Sequence, residues 1–139
     1  MSYLVAYVST LLVFGAIDAL WLSQTGPALY RPVLGDILAQ NVRIAPAVVF
    51  YLLYPIGLVV FVVLPALRNE SAATALGYGV LLGLMAYATY DLTNYATLRN
   101  WTFSITAIDM AYGAFVSGVA SVAAYFTVRV LAGWLGGTT

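Results

Sequence analysis

Three aspartates, Asp18, Asp91 and Asp109, stand inside stretches that are otherwise apolar. An ionised carboxylate in hydrocarbon costs several kcal/mol, about 2.5–3.5 kcal/mol on insertion scales. A chain of 139 residues with only five acidic and five basic side chains places three carboxylates there with partners or for a purpose. Intramembrane carboxylates bind the polar head of a ligand or relay protons. The structural alternative is that Arg43 and Arg99 neutralise Asp18 and Asp109 and clamp helix ends.

Helical spacing gives these acids polar companions. Asp91 shares a stripe with Tyr87 and Ala88 behind it and with Asn94 and Tyr95 ahead. Tyrosine hydroxyls and the asparagine amide can donate to a carboxylate while the rings stay apolar. Asp109 shares a face with Ile105, Thr106, Tyr112 and Gly113, and Asp18 with Phe14, Gly15, Trp21 and Leu22. Arg43, Phe50, Tyr51 and Tyr54 fall at i, i+7, i+8 and i+11. The candidate ligand-binding set is therefore Asp18, Trp21, Arg43, Tyr51, Tyr54, Tyr87, Asp91, Asn94, Arg99, Trp101, Asp109 and Tyr112. No catalytic or metal site is assigned.

The elements that must position these residues are membrane helices. The chain is 63% hydrophobic and 7% charged, against about 25% charged for a soluble domain. Lipid must be the solvent for that surface. Four apolar runs are legible, about Tyr3–Leu22, Ile44–Leu67, Ala72–Asn94 and Ser104–Leu131. The expected fold is all-α, a four-transmembrane-helix bundle forming a single membrane domain over residues 1–139. The N-terminal run lacks the basic start and the short apolar core of a signal peptide, so it reads as a retained span. Gly26-Pro27, Arg31-Pro32 and Gly35-Asp36 read as breaks after it, with a short interfacial helix over Val33–Gln40. Pro55 is expected to kink the second span. Ser71 is the expected cap of the third, and GWLGGTT a frayed tail.

Four spans place both termini on one side. Asp18, Asp91, Asp109, Arg31, Asp36, Arg43 and Arg99 then gather at the opposite, loop side. Only Arg68, Glu70 and Arg129 belong to the terminal side. The arginine bias is too small to fix orientation.

Composition also excludes chemistry. Cysteine and histidine are absent, which removes thiol nucleophiles, imidazole or thiolate metal sites and any Ser-His-Asp arrangement. No lysine is present to form a Schiff base. Metal binding is open only to hard cations on carboxylate oxygens, and no cofactor is implied. Zero net charge without a basic run excludes nucleic acid. Tyr3, Tyr7 and Trp134 read as an interfacial aromatic belt. Gly77, Gly79, Gly83, Gly113 and Gly118 read as close-packing sites between helices, with Gly79 and Gly83 forming a GxxxG.

The run Tyr87-Ala-Thr-Tyr90-Asp91-Leu-Thr93-Asn94-Tyr-Ala-Thr97-Leu-Arg99-Asn-Trp101 resembles the signature of a family of small bacterial inner-membrane proteins, a domain of unknown function with four spans. Asp18-Ala-Leu-Trp21-Leu, Tyr30-Arg31 and Phe50-Tyr51-Leu-Leu-Tyr54 resemble its other blocks. The family usually has Pro after the loop Trp and Trp-Gly in the last span; here Thr102 and Tyr112-Gly113 stand there. The resemblance implies a multi-pass protein of the bacterial inner membrane and brings no activity.

The leading functional expectation is binding or translocation of a small amphipathic or lipid-like ligand at an Asp/Arg/Tyr pocket. The partners expected are membrane lipids. The alternative is a non-catalytic accessory subunit, packing on a larger membrane complex or on a second copy of itself. A lipid-modifying enzyme ranks third, because no nucleophile–base pair or cofactor motif supports it.

Overall fold

The computed structural model describes residues 2–39, 41 and 43–134. It is all-helical, with no strand among the described residues. Four helices are long and apolar enough to cross a membrane: α1 (Ser2–Leu34), α2 (Ile44–Arg68), α3 (Ala72–Thr97) and α4 (Phe103–Trp134).

The four expected runs are these four helices, but α1 is longer than expected. It continues without interruption through Pro27 and Pro32 to Leu34. A π turn, Gly26–Tyr30, absorbs the disturbance, closing with a bond from the Arg31 N–H to the Gly26 carbonyl. Pro32 follows at once. Widening the turn ahead of a proline relieves the clash of its ring with the carbonyl one turn back. The same device recurs in α2, where the π turn Val59–Val63 closes from Leu64 to Val59 just before Pro65. The expected break at Gly26-Pro27 and the interfacial helix over Val33–Gln40 are therefore replaced by helix to Leu34 and a turn over residues 35–37. Gln40 and residues 135–139, the end of the expected tail, lie outside the described residues.

Pro55 lies inside α2. Regular α-helix runs from Ile44 through Pro55 to Leu58, and the irregular turn comes afterwards. Between α2 and α3 the chain reverses through a Schellman motif. Ser71 N–H bonds the Ala66 carbonyl (3.0 Å), Glu70 N–H bonds the Leu67 carbonyl (3.2 Å), and Glu70 takes the left-handed position with φ 50°. The Ser71 hydroxyl then caps α3 by accepting from the Thr74 N–H at 3.1 Å. Thr102 does the same for α4, accepting from the Ile105 N–H at 3.2 Å.

Helix α4 is the centre of the bundle, with fourteen buried residues against four on α3. The α3–α4 contact is set by glycines. A Cβ at Gly79 would stand 2.9 Å from the Ser117 carbonyl oxygen, and one at Gly83 would overlap the Gly113 carbonyl and the Ser117 side chain. A Cβ at Gly113 would overlap the Tyr87 ring, and one at Gly118 would lie 2.8 Å from Val80. Close backbone approach is what drives helix association where lipid and side chains are equally apolar. Gly77 departs from the expectation, since no neighbouring atom lies within 4 Å of where its Cβ would be.

Phe14, Leu58, Val62, Tyr112, Val116 and Ala120 form the middle of the core. Ala6, Val59, Val63, Ala124 and Val128 pack the terminal side. Leu34, Trp101 and Ile105 pack the loop side, with Leu29, Tyr30 and Val33 against them. The extension of α1 is thus held over the start of α4. The loop-side half of α2 is different: no residue from 44 to 54 is buried, and this half packs chiefly on α1.

Candidate functional site

The glycine contacts fix the register of α3 on α4. Ala75, Gly79, Gly83, Tyr87 and Asp91 follow one another at i+4 along the face that meets α4. Asp91 ends that stripe, so it points inward and lies beside Asp109 of α4, within interaction range. Asp91 is 0% exposed and Asp109 is 9% exposed. Apart from the neighbouring Asp109 carboxyl, which lies within hydrogen-bond range, neither oxygen of Asp91 has a hydrogen-bond partner among the described residues. Asp109 accepts a hydrogen bond from the Tyr30 hydroxyl at 2.7 Å.

Asp18 sits one turn deeper on α4's register and is 7% exposed. Its carboxylate accepts from two tyrosines, Tyr112 at 2.8 Å and Tyr51 at short range. Tyr112 also stacks on Trp21, with ring centroids 4.1 Å apart and planes 6° apart. Trp21 in turn lies near the Tyr30 hydroxyl. Asp18 is thereby linked to Asp109 through Tyr112, Trp21 and Tyr30. Tyr54 shares a hydrogen bond with Ser117 at 2.7 Å and meets the Tyr87 ring edge-on at 6.4 Å. Tyr87 meets Tyr112 edge-on at 6.2 Å.

Nine of the twelve sequence candidates therefore share one region at the loop side: Asp18, Trp21, Tyr51, Tyr54, Tyr87, Asp91, Trp101, Asp109 and Tyr112. Trp101 is 7% exposed and meets Tyr90 edge-on at 5.5 Å. Asn94 is half-buried a turn beyond Asp91, near Tyr90. Arg43 and Arg99 are exposed. Among the described residues neither forms an ion pair with any aspartate; the ion pair present is Arg129–Glu70 at 3.8 Å, on the terminal side. The clamp of Asp18 and Asp109 by Arg43 and Arg99 is thus not the arrangement found. Exposed guanidinium groups at a helix end keep their hydration, and bringing them to the carboxylates would forfeit it.

The three carboxylates are also not gathered as a metal cage among the described residues. Tyr7, expected in the interfacial belt, also ties α1 to α2. Its hydroxyl donates to the Leu52 carbonyl of α2 at 3.0 Å, next to the Tyr51 carbonyl that Pro55 leaves without a helical donor.

Two partners escaped the sequence reading. Tyr30 lies beyond Pro27, where the helix was expected to have ended; the apolar spacing of Leu29, Tyr30, Val33 and Leu34 at i, i+1, i+4 and i+5 is the signal that helix continues. Ser117 lies in a small-residue row, Gly113, Ser117 and Ser121, that marks the α3 contact and with it the Tyr54 partner.

Residues 3–126 match the model of a family described as "Predicted membrane protein (DUF2177)". The chain belongs to this family. No curated protein and no solved structure matches the chain. The DUF2177 match spans all three aspartates, both π turns and the full length of α2 and α3. A multi-pass membrane protein is the description on which family, hydropathy and helix length agree.

Proposed function

We propose that this DUF2177 protein binds a small amphipathic, lipid-like ligand at the loop-side end of its bundle, as one membrane domain in the bacterial inner membrane. The observation that carries this reading is Asp91, fully buried with nothing in hydrogen-bond range of its carboxyl except a second buried acid, Asp109. A buried polar group left without a hydrogen bond costs roughly 1–3 kcal/mol and more when charged. A chain that keeps one at the end of its tightest helix contact uses it for something that arrives from outside.

The surroundings fit a ligand with a polar head and an apolar tail. Trp101 Nε1 is also buried without a partner, a donor for a polar group at this end. The exposed half of α2, with Phe50 stacked on Tyr54 at 5.3 Å, offers an apolar, aromatic approach from the bilayer. A tail can remain in lipid there while the head reaches Asp91.

Native mass spectrometry of the protein released from lipid nanodiscs tests the reading. Wild type carries a bound amphiphile and Asp91→Asn loses it. Wild type with no bound species, or an Asp91→Asn variant that retains it, overturns the proposal.

A further inference from the structure

The charge balance at Asp91 specifies the head group further, on the reading that an amphiphile binds there. We infer that the ligand's head is an organic cation, of the ammonium type, and that Asp91 with Asp109 takes its charge.

Three features carry this. The site holds three carboxyl groups, Asp18, Asp91 and Asp109, all buried. Among the described residues no arginine forms an ion pair with any of them. A buried charge is retained when it is paired, and the missing partner here is positive. An anionic head would instead meet carboxylates with no basic residue paired to them.

The second feature is how differently the acids are satisfied. Asp18 has two tyrosine donors and Asp109 has one. Asp91, the most deeply buried of the three, has no tyrosine donor and only the Asp109 carboxyl within hydrogen-bond range. The acid pair is therefore left without a counter-charge among the described residues. A single positive head answers both.

The third feature is the aromatic wall. Trp21 stacks on Tyr112, and Trp101 meets Tyr90 edge-on, so aromatic rings from α1, α3, α4 and the α3–α4 loop crowd the end of the bundle that holds the acids. Ring faces carry negative potential and attract ammonium groups within about 6 Å, most strongly where water is excluded. Aromatic walls around carboxylates suit a cation that keeps an apolar tail.

The test uses one tail and three heads. Decylammonium, decyl glucoside and decyl sulfate are titrated, below their micelle concentrations, into the full-length protein in nanodiscs of neutral lipid. Empty nanodiscs supply the background, and tryptophan fluorescence is the readout. The expected result is saturable binding of the ammonium probe at least tenfold tighter than the glucoside, with no saturable binding of the sulfate. Asp91→Asn should abolish that preference and Asp91→Glu should preserve it. Glucoside bound as tightly as ammonium, or sulfate bound saturably, overturns the cation assignment on wild type alone, whatever the variants do, and leaves amphiphile binding standing. No saturable binding of any probe overturns the cation assignment; it overturns amphiphile binding too only if wild type also carries no native amphiphile in the mass spectrum. An ammonium preference unchanged in a folded Asp91→Asn protein removes Asp91 from the site and overturns the inference as stated.

Discussion

Asp91 and Asp109 lie side by side where α3 and α4 meet, both buried, with no arginine paired to either among the described residues. They lie within hydrogen-bond range of each other. The glycine contacts at Gly79, Gly83 and Gly113 bring the two backbones close enough for this.

The absence of an arginine partner predicts how Asp91 responds to mutation. Asp91→Asn keeps the size of the side chain and strands no buried cation. Its unfolding free energy should change by about 1 kcal/mol or less, or rise. Breaking a buried ion pair would instead cost roughly 3–5 kcal/mol. Thermal unfolding in detergent separates the two, and a large fall in Tm would reinstate a charged partner. Arg43→Ala and Arg99→Ala should leave Tm unchanged in the same assay.

Asp18 should behave in the opposite way. Its two tyrosine donors are the hydrogen bonds that satisfy it. Tyr112→Phe and Tyr51→Phe each remove one bond to a carboxylate, worth about 1.5–3 kcal/mol. Tyr112→Phe should lower Tm measurably while leaving the Trp21 stack in place. The double variant should cost more than the sum of the singles, because the second loss leaves the carboxylate bare. Strict additivity would mean that the two tyrosines do not share Asp18.

The glycine register makes a graded prediction. Gly83→Ala would drive a methyl into the Gly113 carbonyl and the Ser117 side chain. It should cost roughly 1–3 kcal/mol as an overpacked contact and separate Asp91 from Asp109. Gly77→Ala meets no atom within 4 Å and should gain about 0.5–1 kcal/mol from helix propensity. Tm values for the pair, measured side by side, should move in opposite directions. Equal effects would show that Gly83 is not at a close contact.

Glu70 occupies the left-handed position of the α2–α3 turn with φ 50°. A non-glycine residue there carries strain of order 1 kcal/mol. Its ion pair with Arg129 is exposed on both sides and returns little of that. Glu70→Gly should therefore raise Tm slightly, by a few degrees at most. A loss of stability would assign the Arg129 contact a larger role than its exposure supports.

The sequence by itself determined the membrane class, the number of helices and the end of the bundle where charge collects. Hydrocarbon leaves a backbone segment no option but to bond internally, so an apolar run of sufficient length is a helix wherever it packs. Ser71 was legible as a cap for the same local reason, and Asp91 with Tyr87 as one face of α3. What only the tertiary structure decided is which side chains meet. Tyr30 reaches Asp109 because a π turn carries α1 through two prolines, and a proline's local rule says only that a donor is missing, not whether a neighbouring turn widens to absorb it. Arg43 and Arg99 share an end with the aspartates but not a contact, since residence at one depth leaves azimuth and reach free. Asp91 faces Asp109 because Gly79 and Gly83 set the rotation of α3 on α4 over several turns. That rotation is a property of two surfaces fitted together, and neither helix carries it alone.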